Sequence, residues 1–552
     1  MAKISSKEYD NWSKEELIKE IVKIKSTTYG LVWHRDLSEE KIDILVNPDA
    51  RTPNEMFPNE MTGKPFPILK EVKNKAIESD KSKLVNLLIE GDNYHSLAVL
   101  NFTHREAIDL IFIDPPYNTG NNDFIYNDKI VDTNDSFRHS KWLSFMEKRI
   151  KLAKNLLKDE GVIFISIDDN EQAPLRMLCD EIFGEENFIN TICWKSRHSI
   201  SNDLILSPNH NFILLYAKNA KTLFKNRKQF RLGKEFLGFS NPDKDLKGPW
   251  KLTPVDGPGG ARKGNPYYEF LGISGYWRYS KETMQELYEK GEIIKRGKSL
   301  ARKYYLEHAK ENGGSVATTW WDDVGTTTEG TKILSDIVGE EKFNNPKPVS
   351  LIKKILELSA NRDSTVLDFF AGSGTTGHAV LEINKEDNGH RNFILCTNNE
   401  NNICTDVCYP RVKKVISGYK NKKNEKIGGL GGNLKYYITD FVEAEPTDRN
   451  KRKLVKESTD MLCILENAFE LIEETEEFKI FKNTDKYVGV VFYEEAIDNY
   501  KKTIKKIDGH FNTYVFSMND DPHTKSFTEI KNKVTLCAIP EVILKVYREI
   551  FK

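Results

Sequence analysis

The sequence contains no apolar run approaching the ~20 residues needed to cross a bilayer as a helix, which argues against a membrane-spanning segment. Cysteine is scarce: seven are scattered over 552 residues, with no Cys-x-x-Cys pair, and Cys404 and Cys408 have no second pair beside them. That scatter argues against a structural zinc site and a disulfide framework, and predicts reduced thiols. The opening MAKISSKEYDNW is polar and charged and lacks the apolar core of a secretory signal. A cytoplasmic protein without a membrane partner is the expectation. Neither the GxxxxGK[ST] phosphate loop nor the GxGxxG fingerprint occurs, which argues against ATP and dinucleotides as ligands. An excess of charge is missing too: the net charge is −1, so only its distribution is informative.

The length allows two to four domains with sizeable cores. Residues 1–83 read as an amphipathic helix, with Leu17, Ile18, Ile21 and Val22 as its stripe, followed by an irregular arm rich in Pro, Asn and Gly. Strand–helix alternation then runs through residues 84–217, with strands at 85–90, 108–113, 161–168, 187–194 and 211–217. Such repetition predicts a parallel sheet covered on both faces. Between 218 and 342 the periodicity weakens. From Lys195 to Lys310 there are 23 Lys/Arg against 11 Asp/Glu, interleaved with aromatics such as Trp250, Tyr267, Tyr268, Tyr276, Trp277, Tyr305, Trp320 and Trp321. A basic segment studded with aromatics suits nucleic-acid contact. Alternation returns over 343–425. Residues 426–552, opening with a glycine cluster, read as a small α+β domain without a chemical motif.

Two strand ends carry the chemistry. The run Leu110-Ile111-Phe112-Ile113 ends in Asp114-Pro115-Pro116-Tyr117. Two prolines fix φ and remove two N–H donors, so the chain must leave the sheet in a stiff loop. Asp114 and the Pro115 carbonyl offer acceptors for an exocyclic amino group, and Tyr117 offers a ring for stacking. Alone, this is also what a rigid turn looks like. The second end is Asp368-Phe369-Phe370-Ala371-Gly372-Ser373-Gly374-Thr375-Thr376, a strand–glycine loop–helix unit. A further strand follows it and ends near Glu400. Glycines admit a ligand close to the backbone, the helix N-terminus presents free N–H groups, and an acid at the next strand end suits ribose hydroxyls. The layout fits a cofactor with a ribose and an amino-acid tail.

Together, in this order and with a basic insert between them, the two motifs resemble the beta group of S-adenosylmethionine-dependent DNA amino-methyltransferases. DPPYNTGNNDFIYND, EGDNYHSL, FNNPKPVSLI and DFFAGSGTTGHAVLEIN further resemble the modification (Mod) subunit of type III restriction–modification systems. The likeness is close over about 84–420 and looser elsewhere. It implies an α/β fold: a Rossmann-like methyltransferase sheet, an inserted target-recognition domain at 218–342, and the small C-terminal domain. It also implies methyl transfer to N6 of a flipped-out adenine in double-stranded DNA, with S-adenosyl-L-methionine as cofactor. Asp114, Pro115, Pro116 and Tyr117 would form the catalytic loop. Asp92, Asp114, Pro346, Lys347, Asp368, Phe370, Ala371, Gly372, Ser373, Gly374, Thr375, Thr376 and Glu400 would line the cofactor, with Asp92 near the adenine, Glu400 on the ribose, and Pro346 and Lys347 over the methionine end. The same resemblance implies a homodimer and a helicase–nuclease (Res) partner, with no metal. Alternatives stay open: a solitary methyltransferase, N4 of cytosine as the acceptor, or a binding module on a dead fold.

Overall fold

The computed structural model describes residues 65–547 apart from short stretches, chiefly 80–83, 121–124, 131–136, 201–204, 233–237, 312–315, 340–342 and 518–522. Of the first 64 residues only 13–15, 17, 18 and Trp33 are described, so most of the predicted N-terminal helix lies outside the described residues.

A ten-stranded sheet organises the chain. In sequence order its strands are β1 (Phe66–Glu71), β2 (Val85–Glu90), β3 (Ile108–Ile113), β4 (Leu157–Ile167), β5 (Phe188–Lys195), β6 (His210–Ala217), β7 (Trp320–Trp321), β8 (Thr365–Asp368), β9 (Asn392–Thr397) and β10 (Asn433–Val442). Their spatial order is β1-β10-β2-β9-β8-β3-β4-β6-β5-β7. The six strands from β10 to β4 run parallel, whereas β1 and β6 run against their neighbours.

The parallel block is apolar on both sides because helices cover both faces. Helices α1 (Asn93–Thr103), α2 (Arg138–Leu156) and α3 (Gln172–Phe183) pack into one core with Leu97, Trp142, Ile150 and Leu178. The other face carries α4 (Thr327–Val338), α5 (Val349–Ser359), α6 (Thr375–Asp387) and α7 (Tyr409–Ser417), which bury Ile337, Ile352, Val380 and Val412.

Two boundaries differ from the sequence-based expectation. Strand β1 lies in the expected irregular arm, and β10 lies in the expected tail domain, yet both belong to the central sheet. The physical reason is mutual pairing: β10 fills the place between β1 and β2 and hydrogen-bonds to both. The tail itself begins with α8 (Asp448–Glu466) and adds a five-stranded sheet, from Glu470–Glu474 to Val534–Leu536, with its own core around Ile480, Tyr500 and Phe511.

The insert is also narrower than 218–342. Its separate core, with Val255, Phe270, Trp277, Met284 and Leu300, is built from a three-stranded sheet (Trp250–Pro254, Ile293–Arg296, Ser299–Tyr305), a hairpin (Tyr267–Phe270 with Ile273–Tyr276) and the helix Lys281–Glu289. The flanks rejoin the main sheet, through Ala220–Lys225 on one side and β7 and α4 on the other. The aromatics divide accordingly. Trp277, Tyr305 and Trp321 are buried packing residues, while Tyr267 and Trp320 are 63% and 56% exposed.

Candidate active site

Strands β3 and β8 are direct neighbours in register, with Leu110 opposite Val366 and Ile111 opposite Leu367. Their carboxyl ends are therefore adjacent, and the loops from Asp114 and from Asp368 open side by side. This is where ligands bind in open parallel sheets.

The first loop is held at three points. The Pro116 carbonyl accepts from Trp142 Nε1 at 2.7 Å. The Tyr117 hydroxyl lies 2.7 Å from Ser166 Oγ at the end of β4, and Asn211 donates to it at 3.3 Å. The Asn118 side-chain amide donates to Glu171 Oε1 at 2.5 Å. Burial, with the charge of Asp114, pushes the Tyr117 phenol above its ordinary range, so it stays neutral.

Asp114 keeps bonding capacity in reserve. Its Oδ2 accepts from Lys347 Nζ at 2.6 Å, while its Oδ1 is buried and has no hydrogen-bond partner. The Lys347 ammonium also lies 5.1 Å from the centre of the Tyr117 ring. Burial alone would lower the lysine. The Asp114 carboxylate outweighs it and raises the ammonium above the usual range. Lys347 was expected over the methionine end of a cofactor. Its backbone does adjoin the second loop, since its carbonyl accepts from Thr375 Oγ1 at 3.2 Å, but its charge is committed to Asp114.

The second loop is closed upon itself. Asp368 accepts from the Phe370 N–H at 3.0 Å and from Thr376 Oγ1 at 2.5 Å. Burial raises the Asp368 carboxyl to about 7; Asp114 adds to the rise, and the two donors oppose it. Gly372 and Gly374 have φ of +49° and +77°, the region glycine tolerates best. A Cβ on Gly374 would stand 3.0 Å from Cys408 Sγ. Beneath the loop the fully buried Arg411 donates to Ser373 Oγ at 3.1 Å and to Thr375 Oγ1 at 2.8 Å. Burial lowers this guanidinium to about 10.

The structure brings most of the expected residues together. Pro346 and Ser373 are buried beside the loops, Ala371 donates its N–H to the Cys396 carbonyl of β9, and Phe370 packs tilted on Phe145. Glu400 is exposed just beyond the tip of β9, two strands from β3. Asp92 caps α1 through the Tyr94 N–H at 2.7 Å and accepts from Arg149. The next residue, Asn93, donates to the Phe369 carbonyl, tying that turn to the second loop. Arg411, Arg149 and Glu171 are the site-supporting residues that the sequence did not disclose. Each lies among other charged residues of a helical or turn segment, as in Glu147-Lys148-Arg149, with nothing local to single it out.

A parallel sheet whose two neighbouring strand tips carry an acid–proline loop and a glycine loop defines a ligand-binding doubly wound α/β protein. A family described as DNA methylase (N6_N4_Mtase) matches residues 108–409, more than half the chain, and the chain belongs to that family. It is 36% identical over 364 residues to the type III restriction-modification enzyme StyLTI Mod subunit of Salmonella typhimurium; the match covers 60% of this chain and 55% of that one. It is 32% identical to the EcoPI Mod subunit of Escherichia phage P1, covering 61% of each. It is 33% identical to the type II methyltransferase M.KpnI of Klebsiella pneumoniae, covering 59% of this chain and 84% of that one. The matched stretch thus spans little more than half of the two type III subunits. Among the described residues no helix is long and apolar enough to cross a membrane.

Proposed function

We propose that this chain transfers a methyl group from S-adenosylmethionine to N6 of a flipped-out adenine in double-stranded DNA. The observation that carries this reading is Asp114. It stands at a strand tip beside the glycine loop, with one oxygen holding an ammonium N–H donor and the other buried and vacant for a second.

The residues fit the cofactor. Gly372 and Gly374 add no side chain of their own to the turn, against which Phe343 and Cys408 lie, Phe370 supplies a ring, and the exposed Glu400 and half-exposed Asp92 supply carboxylates for hydroxyl and amino groups. Bound there, S-adenosylmethionine supplies an electrophilic methyl on a sulfonium that is a good leaving group.

The protein's own task is positioning. A paired adenine is out of reach, so the base must leave the stack at a cost of a few kcal/mol. Tyr117 offers the extruded base a face worth roughly 1–3 kcal/mol. Asp114 Oδ1 accepts one N–H of the amine and the Pro115 carbonyl the other; as the N–C bond forms and the S–C bond breaks, the amine proton passes to the Asp114 carboxylate. Accepting from the amine favours a pyramidal nitrogen with its lone pair directed away from Asp114. The basic insert, with Tyr267 exposed, is the reading's target-recognition surface, and the exposed Trp320 stands on β7 where the insert rejoins the sheet.

The likeness to Mod subunits supports a place as the modification and recognition subunit of a type III-like system. A second copy of the chain, a separate helicase–nuclease chain and a cytoplasmic setting belong to the same proposal. The test is methylation of DNA by the purified protein with labelled cofactor, followed by mass spectrometry of the nucleosides. N6-methyldeoxyadenosine is expected, absent with Asp114→Ala. N4-methyldeoxycytidine would move the acceptor to cytosine, and unmodified DNA would overturn the reading.

A further inference from the structure

The third anchor of the Asp-Pro-Pro-Tyr loop is an unusual pair. Asn118 follows Tyr117, has φ +57°, and is fully buried. Besides its bond to Glu171, its Nδ2 lies 3.4 Å from the Arg138 carbonyl, which sets Nδ2 as the donor end of the amide. Glu171 is also fully buried. It stands at the cap position of α3, yet its side chain caps nothing there and reaches the loop instead.

Glu171 Oε1 carries a second contact, His139 Nδ1 at 2.6 Å. The state of that imidazole follows from its other side. Arg138 Nε donates to His139 Nε2 at 3.1 Å. A guanidinium has donors and no acceptor, so Nε2 must be the bare nitrogen. With Nε2 taking that bond, Nδ1 is the nitrogen that donates to Oε1. Oε1 thus takes two donors. Glu171 Oε2 takes none, and neither does Asn118 Oδ1, although both atoms are buried. An ionised carboxylate with a bare oxygen in the interior is strongly disfavoured. A single proton on Oε2 would answer both defects, by making Oε2 a donor for Asn118 Oδ1 beside the observed Nδ2–H···Oε1 bond.

We infer that Glu171 is a positioning residue for methyl transfer, acting as a neutral carboxylic acid paired with the Asn118 amide and so fixing the loop that carries Asp114 and Tyr117. The groups facing it are His139 and Arg138 from the first turn of α2, and the uncharged Asn118 amide from the loop. Burial raises the Glu171 carboxyl, and the Asn118 bond, His139 and Arg138 oppose the rise without cancelling it. The proton is lost as pH rises through that raised value, and the loop loses its second bond with it.

This inference rests on the methyltransferase reading, and its test separates the two. Single-turnover methylation is followed against pH for the full chain and for Glu171→Gln and Glu171→Ala. The wild-type rate is expected to fall on the alkaline side. The glutamine variant, which keeps both a donor and an acceptor at every pH, should hold the low-pH rate within about threefold and lack the alkaline fall. The alanine variant should lose about 10²-fold at every pH, the scale of a misplaced reacting group, with the KM for cofactor changed less than about threefold. An alkaline fall unchanged in Glu171→Gln, or a glutamine variant as slow as alanine, overturns the inference. A readout independent of activity is the infrared carbonyl stretch of a protonated acid at neutral pH, lost in Glu171→Gln. If that band is present and no DNA is methylated at any pH, the acid–amide pair stands and the methyltransferase reading falls. If the band is absent in wild type, the inference falls.

Discussion

The two loops at the strand tips differ in how much hydrogen-bonding capacity they spend on themselves. Around Asp368 the bonding is turned inward: Thr376 and the Phe370 N–H hold the carboxylate, and Arg411, whose Nε is left without a partner, separately holds Ser373 and Thr375. The Asp114 loop is anchored at Pro116, Tyr117 and Asn118, but Asp114 itself retains a buried oxygen with nothing on it. A closed network makes a rigid backbone cradle. An open acceptor on a rigid loop makes a place for a donor from outside. A buried vacant acceptor is costly unless something fills it, so the difference points to which loop meets the reacting group.

Substitutions can break that contrast. The largest effect is expected for Asp114→Ala, which removes the vacant acceptor: methyl transfer should fall by at least about 10³-fold, while calorimetry should find cofactor affinity within about threefold of wild type. Arg411→Met attacks the closed side. It strips donors from Ser373 and Thr375, and should lower stability by ~2–4 kcal/mol in denaturant titration and weaken cofactor binding about tenfold, ~1.4 kcal/mol.

Gly374→Val places a branched side chain at φ +77° and against Cys408. About 1–3 kcal/mol of strain is expected, with cofactor binding weakened before DNA binding is touched. A last contrast is a matter of pH. The Asp368 carboxyl titrates near 7 in the folded chain against about 3.9 when unfolded. Being raised, it contributes stability that is complete below pH ~4 and is lost as pH climbs towards 7. Asp368→Asn should flatten that part of the curve of melting temperature against pH; an unchanged slope would place the titration elsewhere.

How much of this was readable from the chain depends on the range of the interactions. The Asp-Pro-Pro-Tyr and glycine loops are contiguous, and each pairs a buried strand with residues that cannot extend it, so they stand out locally. That Asp114 and Asp368 are neighbours follows from β3 and β8 being adjacent, which the strand pattern alone leaves open. The contact of Lys347 with Asp114 could not be read from the chain, because the two residues lie 233 positions apart. Arg411 and Glu171 act through single side chains drawn from distant helices and carry no pattern. Strands β1 and β10 were missed because each depends on the other: Phe66–Glu71 becomes a strand only when Asn433–Val442 lies beside it.

The insert leaves the sheet after β6 and comes back at β7, which pairs with β5, the neighbour of β6. Entry and exit are thus two nearby anchor points at one border of the scaffold, with β6 two strands from β3 and its Asn211 bonded to the Tyr117 hydroxyl. A cassette of different length or surface could be exchanged between those anchors without re-registering any strand of the parallel block. On the proposed function, change in the surface the insert presents and constancy of the strand-tip site can then proceed on separate clocks within one polypeptide.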